Sequence, residues 1–383
     1  MKILYCIPSL QNPGGMERIL SEKINYLVQV YGYNVTVLTT DQRARPLFFP
    51  LDEDVKVVDF GYNFDLDFKR SLGSRIIFTL SKIAAYRKKL EAFLAEEQPE
   101  IMVSTGGKEL EFLQSIRVNC KKVLEMHFSQ NFRQQFLMAQ NAGLLSRLVG
   151  QYRTSQLLRQ TKQLDALVVL TKKDLEQWQR THKNIYHIYN FSSFAATHSA
   201  DVTRKRAIAV GKLDAQKGFD LLIDAWAQHK EELHNWTLDI YGQGEWKEKL
   251  SQKISFHELE GKIKLMGVSE NIQEEMLNSS MFLFSSRFEG FALVFVEAMT
   301  CGLPVVSFDC PEGPAELIEN DKNGILVPAE DVESFGKAIT RLADREDLRR
   351  IMGSNAKKKA AEFSKEVIMR QWDGLFKTIG NRN

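Results

Sequence analysis

The chain has 383 residues, 44% of them hydrophobic, with 51 Lys and Arg against 49 Asp and Glu for a net charge of +2. At ~150 residues per domain this is two domains of ordinary globular composition, with no basic excess that would call for a nucleic-acid partner. No apolar run reaches the ~18 residues that span a bilayer, and the opening MKILYCIPSL is broken by Pro8 too early for a secretory signal.

The four cysteines (Cys6, Cys120, Cys301, Cys310) lack the C-x-x-C spacing of a zinc or redox site, so reduced thiols in a cytoplasmic protein are expected. Charge is uneven. Residues 1–190 carry 26 Lys and Arg against 19 Asp and Glu, and the remainder 25 against 30.

Along the first half, short apolar runs at Ile3–Ile7, Val35–Thr39, Val55–Asp59, Ile101–Ser104, Val123–Met126 and Leu167–Leu170 predict strands. Longer amphipathic segments separate them, the pattern of repeated βα units and parallel sheets. Glu17–Val30 carries Ile19, Leu20, Ile24, Leu27 and Val28 at helical spacing. Thr171 with Asp174 three residues later resembles a capping box that opens another helix. Between Lys69 and Lys89 stand seven basic residues (Lys69, Arg70, Arg75, Lys82, Arg87, Lys88, Lys89) and no acidic one, interleaved with Leu72, Ile76, Ile77, Phe78, Leu80 and Ile83. Such a segment fits an anionic membrane surface, or a solvated helix whose apolar stripe packs on its own domain.

After Ile185–Tyr189 comes a Ser-, Ala- and Thr-rich loop, Asn190–Ala200, and a basic turn, Arg204–Arg206, where a domain boundary is expected. The pattern then restarts. Strands are predicted at Ala207–Val210, Thr237–Tyr241, Ile263–Leu265, Met281–Phe284, Val305–Phe308 and Ile325–Val327. Helices are predicted at Phe219–His229, Glu245–Phe256, Ile272–Asn278, Leu293–Thr300 and Glu316–Ile318, with a helical tail from Val332. The expected fold is α/β, two doubly wound Rossmann-like parallel-sheet domains facing across a cleft. Ligands of such sheets bind outside the carboxyl ends of the strands.

Two segments of the second half sit where a strand hands over to a helix. In Val210-Gly211-Lys212-Leu213-Asp214-Ala215-Gln216-Lys217-Gly218, the glycines allow close backbone approach, and Lys212 and Lys217 suit one anionic group such as a diphosphate. The same residues would also make a plain turn with surface lysines. In Arg287-Phe288-Glu289-Gly290-Phe291-Ala292-Leu293, backbone amides at the helix start make an anion site. Glu297, one to two turns into that helix in an apolar run, needs hydrogen-bond donors such as a ribose diol, or a salt bridge. Glu289 reads as a ligand-facing carboxylate or as a solvated loop residue.

Together, Gly211–Gly218, the Glu289-x7-Glu297 spacing and Cys301-Gly302-Leu303-Pro304-Val305-Val306 resemble glycosyltransferase family four, of the two-domain GT-B type. The run Ser307-Phe308-Asp309-Cys310-Pro311-Glu312-Gly313-Pro314 is similar to bacterial members that build capsular, exopolysaccharide and lipid-linked oligosaccharide chains. The resemblance covers essentially the whole chain and is strongest from Val210 to Pro328. It implies an acceptor-binding domain over 1–192, a nucleotide-sugar domain over 193–362 and a helix over 363–383 that returns to the first domain.

Residue by residue, the resemblance implies that Lys212 and Lys217 bind the donor diphosphate; Lys at the first position replaces the more usual Arg and loses its bidentate fork. It implies Glu289 on the donor sugar, the backbone of Gly290, Phe291, Ala292 and Leu293 on the phosphates, and Glu297 on the ribose. The base is expected near Met266, Gly267, Val268 and Ile272, and Gly211 beside the phosphates. Asn12-Pro13-Gly14-Gly15-Met16-Glu17-Arg18 resembles the family's glycine loop, so Gly14 and Gly15 would reach the donor phosphate and acceptor. His127, at a predicted strand end, would face the donor sugar. The other six histidines (His182, His187, His198, His229, His234, His257) are read as structural.

Asp65-Leu66-Asp67 matches the D-x-D of metal-dependent transferases, but it lies far from every other donor feature. The expectation is a metal-independent enzyme with no cofactor beyond its nucleotide-sugar co-substrate, which the resemblance implies is a UDP-sugar. No pair of carboxylates flanks an anomeric carbon as double-displacement glycosidases require. The resemblance implies retention by front-face attack, with Glu289 a positioning group and Glu289, His127, Lys212 and Lys217 at the reacting centre. The acceptor implied is a glycan or polyprenyl-diphosphate-linked glycan at the inner face of the membrane. A GT-B epimerase or phosphorylase, or a non-catalytic nucleotide-sugar-binding partner subunit, is the alternative.

Overall fold

In the computed structural model of the chain, residues 1–69, 72–132, 143–311 and 313–381 are described, with side chains for all of these except 67–69, 72–77 and 144–147. The chain folds into two compact units. One comprises Met1–His127, Tyr152–Tyr189 and Glu366–Asn383, the other Phe128–Gln151 and Asn190–Lys365.

In the first unit, continuous Val/Ile/Leu runs form strands buried on both faces, as parallel sheets require. Among the described residues seven strands pair in parallel: β1 (Lys2–Ile7), β2 (Asn34–Thr39), β3 (Lys56–Asp59), β4 (Ile101–Ser104), β5 (Lys121–Glu125), β6 (Ala166–Val169) and β7 (Ile185–His187). Their order is β3-β2-β1-β4-β5-β6-β7, with Ile3 registered on Val35 to one side and Ile101 to the other. The winding reverses between β1 and β4, which makes the carboxyl ends of those two strands the switch point where ligands bind in such sheets.

Helix α1 (Gly15–Gln29) buries Ile19, Leu20, Ile24 and Leu27. It begins two residues before the predicted Glu17, because the Gly14 carbonyl already accepts from the Arg18 N–H at 3.1 Å. α2 (Leu72–Glu97) carries most of the basic segment; Arg70 lies outside the described residues, as do the side chains of Lys69, Leu72, Arg75, Ile76 and Ile77. Tyr86, Leu90 and Leu94 on α2 enter the core, with Ile83 partly buried against it, whereas Phe78 and Leu80 remain exposed. The later turns of α2 thus pack on their own domain. α3 (Leu144–Thr161) precedes β6, and α4 (Lys172–Gln179) opens as expected, with the Thr171 hydroxyl accepting from the Asp174 N–H at 3.1 Å.

The second unit repeats the plan: β8 (Arg206–Val210), β9 (Thr237–Tyr241), β10 (Ile263–Gly267), β11 (Met281–Phe284), β12 (Val305–Asp309) and β13 (Gly324–Pro328) pair in parallel in the order β10-β9-β8-β11-β12-β13. The switch point falls between β8 and β11. Helices α5 (Phe219–Gln228), α6 (Lys247–Phe256), α7 (Ile272–Leu277), α8 (Leu293–Thr300), α9 (Pro314–Leu317), α10 (Val332–Asp344) and α11 (Glu346–Ala360) flank the sheet.

β10 runs two residues past the predicted Leu265, because the Gly267 carbonyl accepts from the Gly242 N–H at 2.7 Å. β7 stops two residues short of the predicted Tyr189. The last helix, α12 (Lys365–Gly380), buries Ile368, Met369, Trp372, Leu375, Phe376 and Ile379, and from Glu366 onward it belongs to the first unit. Tyr33 donates to Asp373 there at 2.6 Å. Both sheets are therefore Rossmann-like and parallel, as the sequence predicted. Among the described residues no helix is long and apolar enough to cross a membrane.

Candidate active site

In the second unit the two segments singled out in the sequence follow β8 and β11, the pair of strands flanking the switch point. The loop after β8 is drawn tight by glycines. Gly218 has φ +61, and a Cβ there would sit 2.1 Å from the Ser285 carbonyl oxygen; one on Gly242 would sit 1.8 Å from the Gly211 carbonyl oxygen. Only residues without a side chain permit these backbones to touch.

The loop is closed by an Asx turn in which Asp214 Oδ1 accepts from the Gln216 N–H at 3.0 Å and the Lys217 N–H at 3.3 Å. This turn carries Lys217 back over Gly211, to 3.0 Å from where that residue's Cβ would be. From there its Nζ reaches Glu289 Oε1 at 2.7 Å. Gln216 Nε2 completes the contact, donating to the Phe288 carbonyl at 3.1 Å and to Glu289 Oε2 at 3.5 Å.

The side chains of Lys217 and Glu289 are 18% and 6% exposed, so their attraction acts at lower effective dielectric than a surface pair. Lys212 behaves differently. Its side chain is 69% exposed and lies 3.6 Å from Asp214 Oδ2, so the two lysines have different partners.

Sequence reading missed the group that welds the two loops together. Arg287 makes a bidentate pair with Asp220 of α5, both contacts 2.9 Å, and donates to the Ala215 carbonyl at 2.9 Å. The Arg287 N–H donates to the Gln216 carbonyl at 2.8 Å, and the Ser285 hydroxyl to the Lys217 carbonyl at 2.9 Å. An Arg two residues before the glutamate was the available signal, and the acceptor fork of Asp220 gives it meaning only in three dimensions.

At the start of α8, Gly290, Phe291 and Ala292 are buried, and the Leu293 N–H donates to the Phe291 carbonyl at 2.9 Å. Glu297 is 1% exposed on α8. Met266 and Val268 are 45% and 60% exposed at the end of the edge strand β10, with Gly267 at φ +79 between them and Ile272 half-buried at the start of α7. Glu312 lies outside the described residues.

In the first unit, the Gly14–Gly15 turn follows β1 and caps α1, with the Glu17 carboxylate folded back to within 2.2 Å of where a Gly14 Cβ would be. The loop after β4, on the other side of that switch point, holds a second glycine pair, Gly106–Gly107, that the sequence reading passed over; Gly106 has φ +87. Its buried Glu109 accepts from the Ser104 hydroxyl at 2.5 Å and the Gly107 N–H at 3.1 Å.

His127 follows β5, is nearly buried, and lies with Nε2 3.3 Å from Glu125 Oε1. Burial holds its imidazole below the usual histidine range; Glu125 opposes this and Lys23 adds to it. Asp65 of the D-x-D segment pairs with Arg43, and the Asp67 side chain lies outside those described. Among the described residues no three His, Cys, Asp or Glu side chains converge to hold a metal ion.

Residues 191–359 match the family of glycosyl transferases group 1. The chain is 28% identical to the amylovoran biosynthesis glycosyltransferase AmsD of Erwinia amylovora over 98% of its own length and 99% of that protein. It is 34% identical to an N-acetylgalactosaminyltransferase of Campylobacter jejuni acting on a diphospho-undecaprenol glycan, over 43% of this chain and 45% of the other. The structure of Staphylococcus aureus TarM, a complex that includes UDP, superposes with a TM-score of 0.78 at 18% identity, covering 98% of this chain and 99% of that one. That likeness is one of fold, the GT-B fold.

Proposed function

Because residues 191–359 match the glycosyl transferases group 1 family, we propose that this chain is a retaining glycosyltransferase that moves a sugar from UDP to a hydroxyl of a glycan or polyprenyl-diphosphate-linked acceptor in cell-surface polysaccharide synthesis. The observation that carries the reading is the part-buried 2.7 Å contact of Lys217 with Glu289 across the switch point of the second sheet. A cation and a carboxylate from loops 72 residues apart meet at the place where such a sheet takes its ligand.

In the proposed reaction the bond between the anomeric carbon and the β-phosphate oxygen breaks as the acceptor oxygen bonds to the same face of that carbon. The acceptor proton passes to the departing phosphate. Negative charge grows on the leaving diphosphate, and Lys217, Lys212 and the backbone amides of Gly290, Phe291 and Ala292 stabilise it, with Gly211 giving the phosphates room. Lys212, exposed at the loop surface, turns from Asp214 to the diphosphate when the donor arrives. Glu289 orients the donor sugar and Glu297 accepts from the ribose hydroxyls. Met266, Gly267, Val268 and Ile272 border the base. In the first unit Gly14 and Gly15 offer amides to phosphate and acceptor, and His127 meets the donor sugar.

The lysines and backbone amides carry the stabilising charge that a metal ion carries elsewhere, so we propose no metal requirement and no cofactor beyond the nucleotide sugar. The exposed Phe78 and Leu80 on the basic α2 suit peripheral contact with an anionic membrane, on its cytoplasmic side.

The test is the product. Glu289→Ala and Lys217→Ala are each expected to lower transfer by about 100-fold or more with unchanged circular dichroism. NMR of the product is expected to give the anomeric configuration of the donor. Near-normal turnover in either variant, or an inverted anomer, contradicts the reading.

A further inference from the structure

Beneath His127 lies a set of buried charges that the proposed transfer does not use. Lys23 of α1 and Glu125 of β5 are 1% and 0% exposed and form an ion pair. Lys23 Nζ stands 3.7 Å from the centre of the Trp372 ring of α12, itself fully buried. Glu125 and His127 are two residues apart at a strand end, hence on one face, and His127 Nε2 is 3.3 Å from Glu125 Oε1. From β1 the buried Tyr5 adjoins the same carboxylate. The Tyr5 hydroxyl, Glu125 Oε2 and His127 Nε2 each lack a well-aligned hydrogen-bond partner among the described residues. All these residues belong to the first unit.

Stability does not account for this arrangement. A buried ion pair regains little more than its desolvation, and well-fitted apolar residues of similar volume often do as well. Orphaned polar atoms beside it add a further cost. What the array does provide is one carboxylate oxygen, Glu125 Oε1, that lies beside the histidine and also accepts from the Lys23 ammonium.

We propose that Lys23 and Glu125 are positioning residues that fix the ring orientation and tautomer of His127, with Trp372 of the returning helix closing the array over Lys23. Glu125 Oε1 is the acceptor in reach of Nε2; a small turn of the ring aligns the two, holds the proton on Nε2 and leaves Nδ1 as the acceptor offered to a hydroxyl. A carboxylate alone beside an imidazole would draw it toward the charged form. Burial favours the neutral ring, and Lys23 offsets the pull of the carboxylate, so the ring keeps an acceptor nitrogen. Among the described residues the charged groups acting on the ring are Glu125 from β5 and Lys23 from α1, and Tyr5 from β1 interacts with the same carboxylate. The inference that Nδ1 meets a sugar hydroxyl rests on the glycosyl-transfer reading; the array itself does not.

The two charges act on His127 with opposite sign, and that is what separates tuning from mere structural support. In the 383-residue chain, with the His127 resonance assigned by its loss in His127→Gln, NMR titration of labelled histidine is expected to show the midpoint rising in Lys23→Met and falling in Glu125→Gln. Lys23→Arg is expected to restore the wild-type midpoint. The acidic limb of the kcat/KM profile for transfer is expected to move the same way. Coincident midpoints, or midpoints that move together, overturn the proposal. Should Lys23→Met fold poorly, an unchanged midpoint in the near-isosteric Glu125→Gln overturns it alone. The titration needs no substrate, so its failure is distinct from failure of the transferase reading, which the turnover measurement reports.

Discussion

Lys217 and Glu289 were each visible in the sequence as residues at strand-to-helix connections, but their contact was not. Sequence spacing gives the loop each belongs to, and only the order β8-β11 brings those loops side by side. Lys23 shows the converse limit. It sits among Ile19, Leu20, Ile24 and Leu27, in the apolar stripe of α1, yet a lysine within such a stripe commonly snorkels to water. Its burial against Glu125 and Trp372 is a tertiary fact.

His182 gives a prediction at this scale. It is buried with Nε2 2.6 Å from the Thr161 hydroxyl and Nδ1 2.8 Å from that of Thr181, and burial, aided by Lys162, holds it below the usual histidine range. The unfolded chain takes up this proton near pH ~6.5 while the folded chain resists it. The unfolded state then binds more protons, so stability falls as pH drops through that value, and His127 adds in the same direction. Thermal denaturation between pH ~7.5 and ~5 should show this loss, and His182→Gln should lessen it; an unchanged slope would count against the assignment.

Among elements, the strands were the most legible, because parallel strands buried on both faces leave continuous Val, Ile and Leu runs. Their ends were less so: β10 gains Met266 and Gly267 through pairing with the loop after β9, which no local pattern reveals. The loops of the second unit are held by backbone fit. Replacing Gly218 with Ala at φ +61, 2.1 Å from the Ser285 carbonyl oxygen, should cost at least about 2 kcal/mol. Urea denaturation measures it, and wild-type stability would show that the two loops separate more easily than their contacts indicate. Arg287→Lys should leave stability close to wild type but loosen the Lys217 loop, since one ammonium cannot reproduce the fork on Asp220. A raised donor KM is the expected outcome, and unchanged donor kinetics would remove Arg287 from the site.

At the scale of the whole molecule, the two-domain Rossmann-like plan was legible because the βα alternation restarts after residue 206. The identity of the sugar and acceptor was not, because backbone amides and glycines bind phosphates without leaving a side-chain code. Glu289 and Glu297 take unequal parts in this account: Glu297 is buried within α8, whereas Glu289 is held at a loop by Lys217 and Gln216. A screen of nucleotide sugars should single out its donor by thermal stabilisation, worth ~2.7 kcal/mol at ~100 times the dissociation constant.

The most direct test of the central claim is release of UDP from that donor by the purified chain, followed with and without a lipid extract containing polyprenyl-diphosphate glycans. Release is expected to depend on the extract, to be matched by sugar gained on the lipid, and to be lost in Lys217→Ala and Glu289→Ala. Sugar released or isomerised equally well without any acceptor, or no turnover of any nucleotide sugar with one, would contradict it.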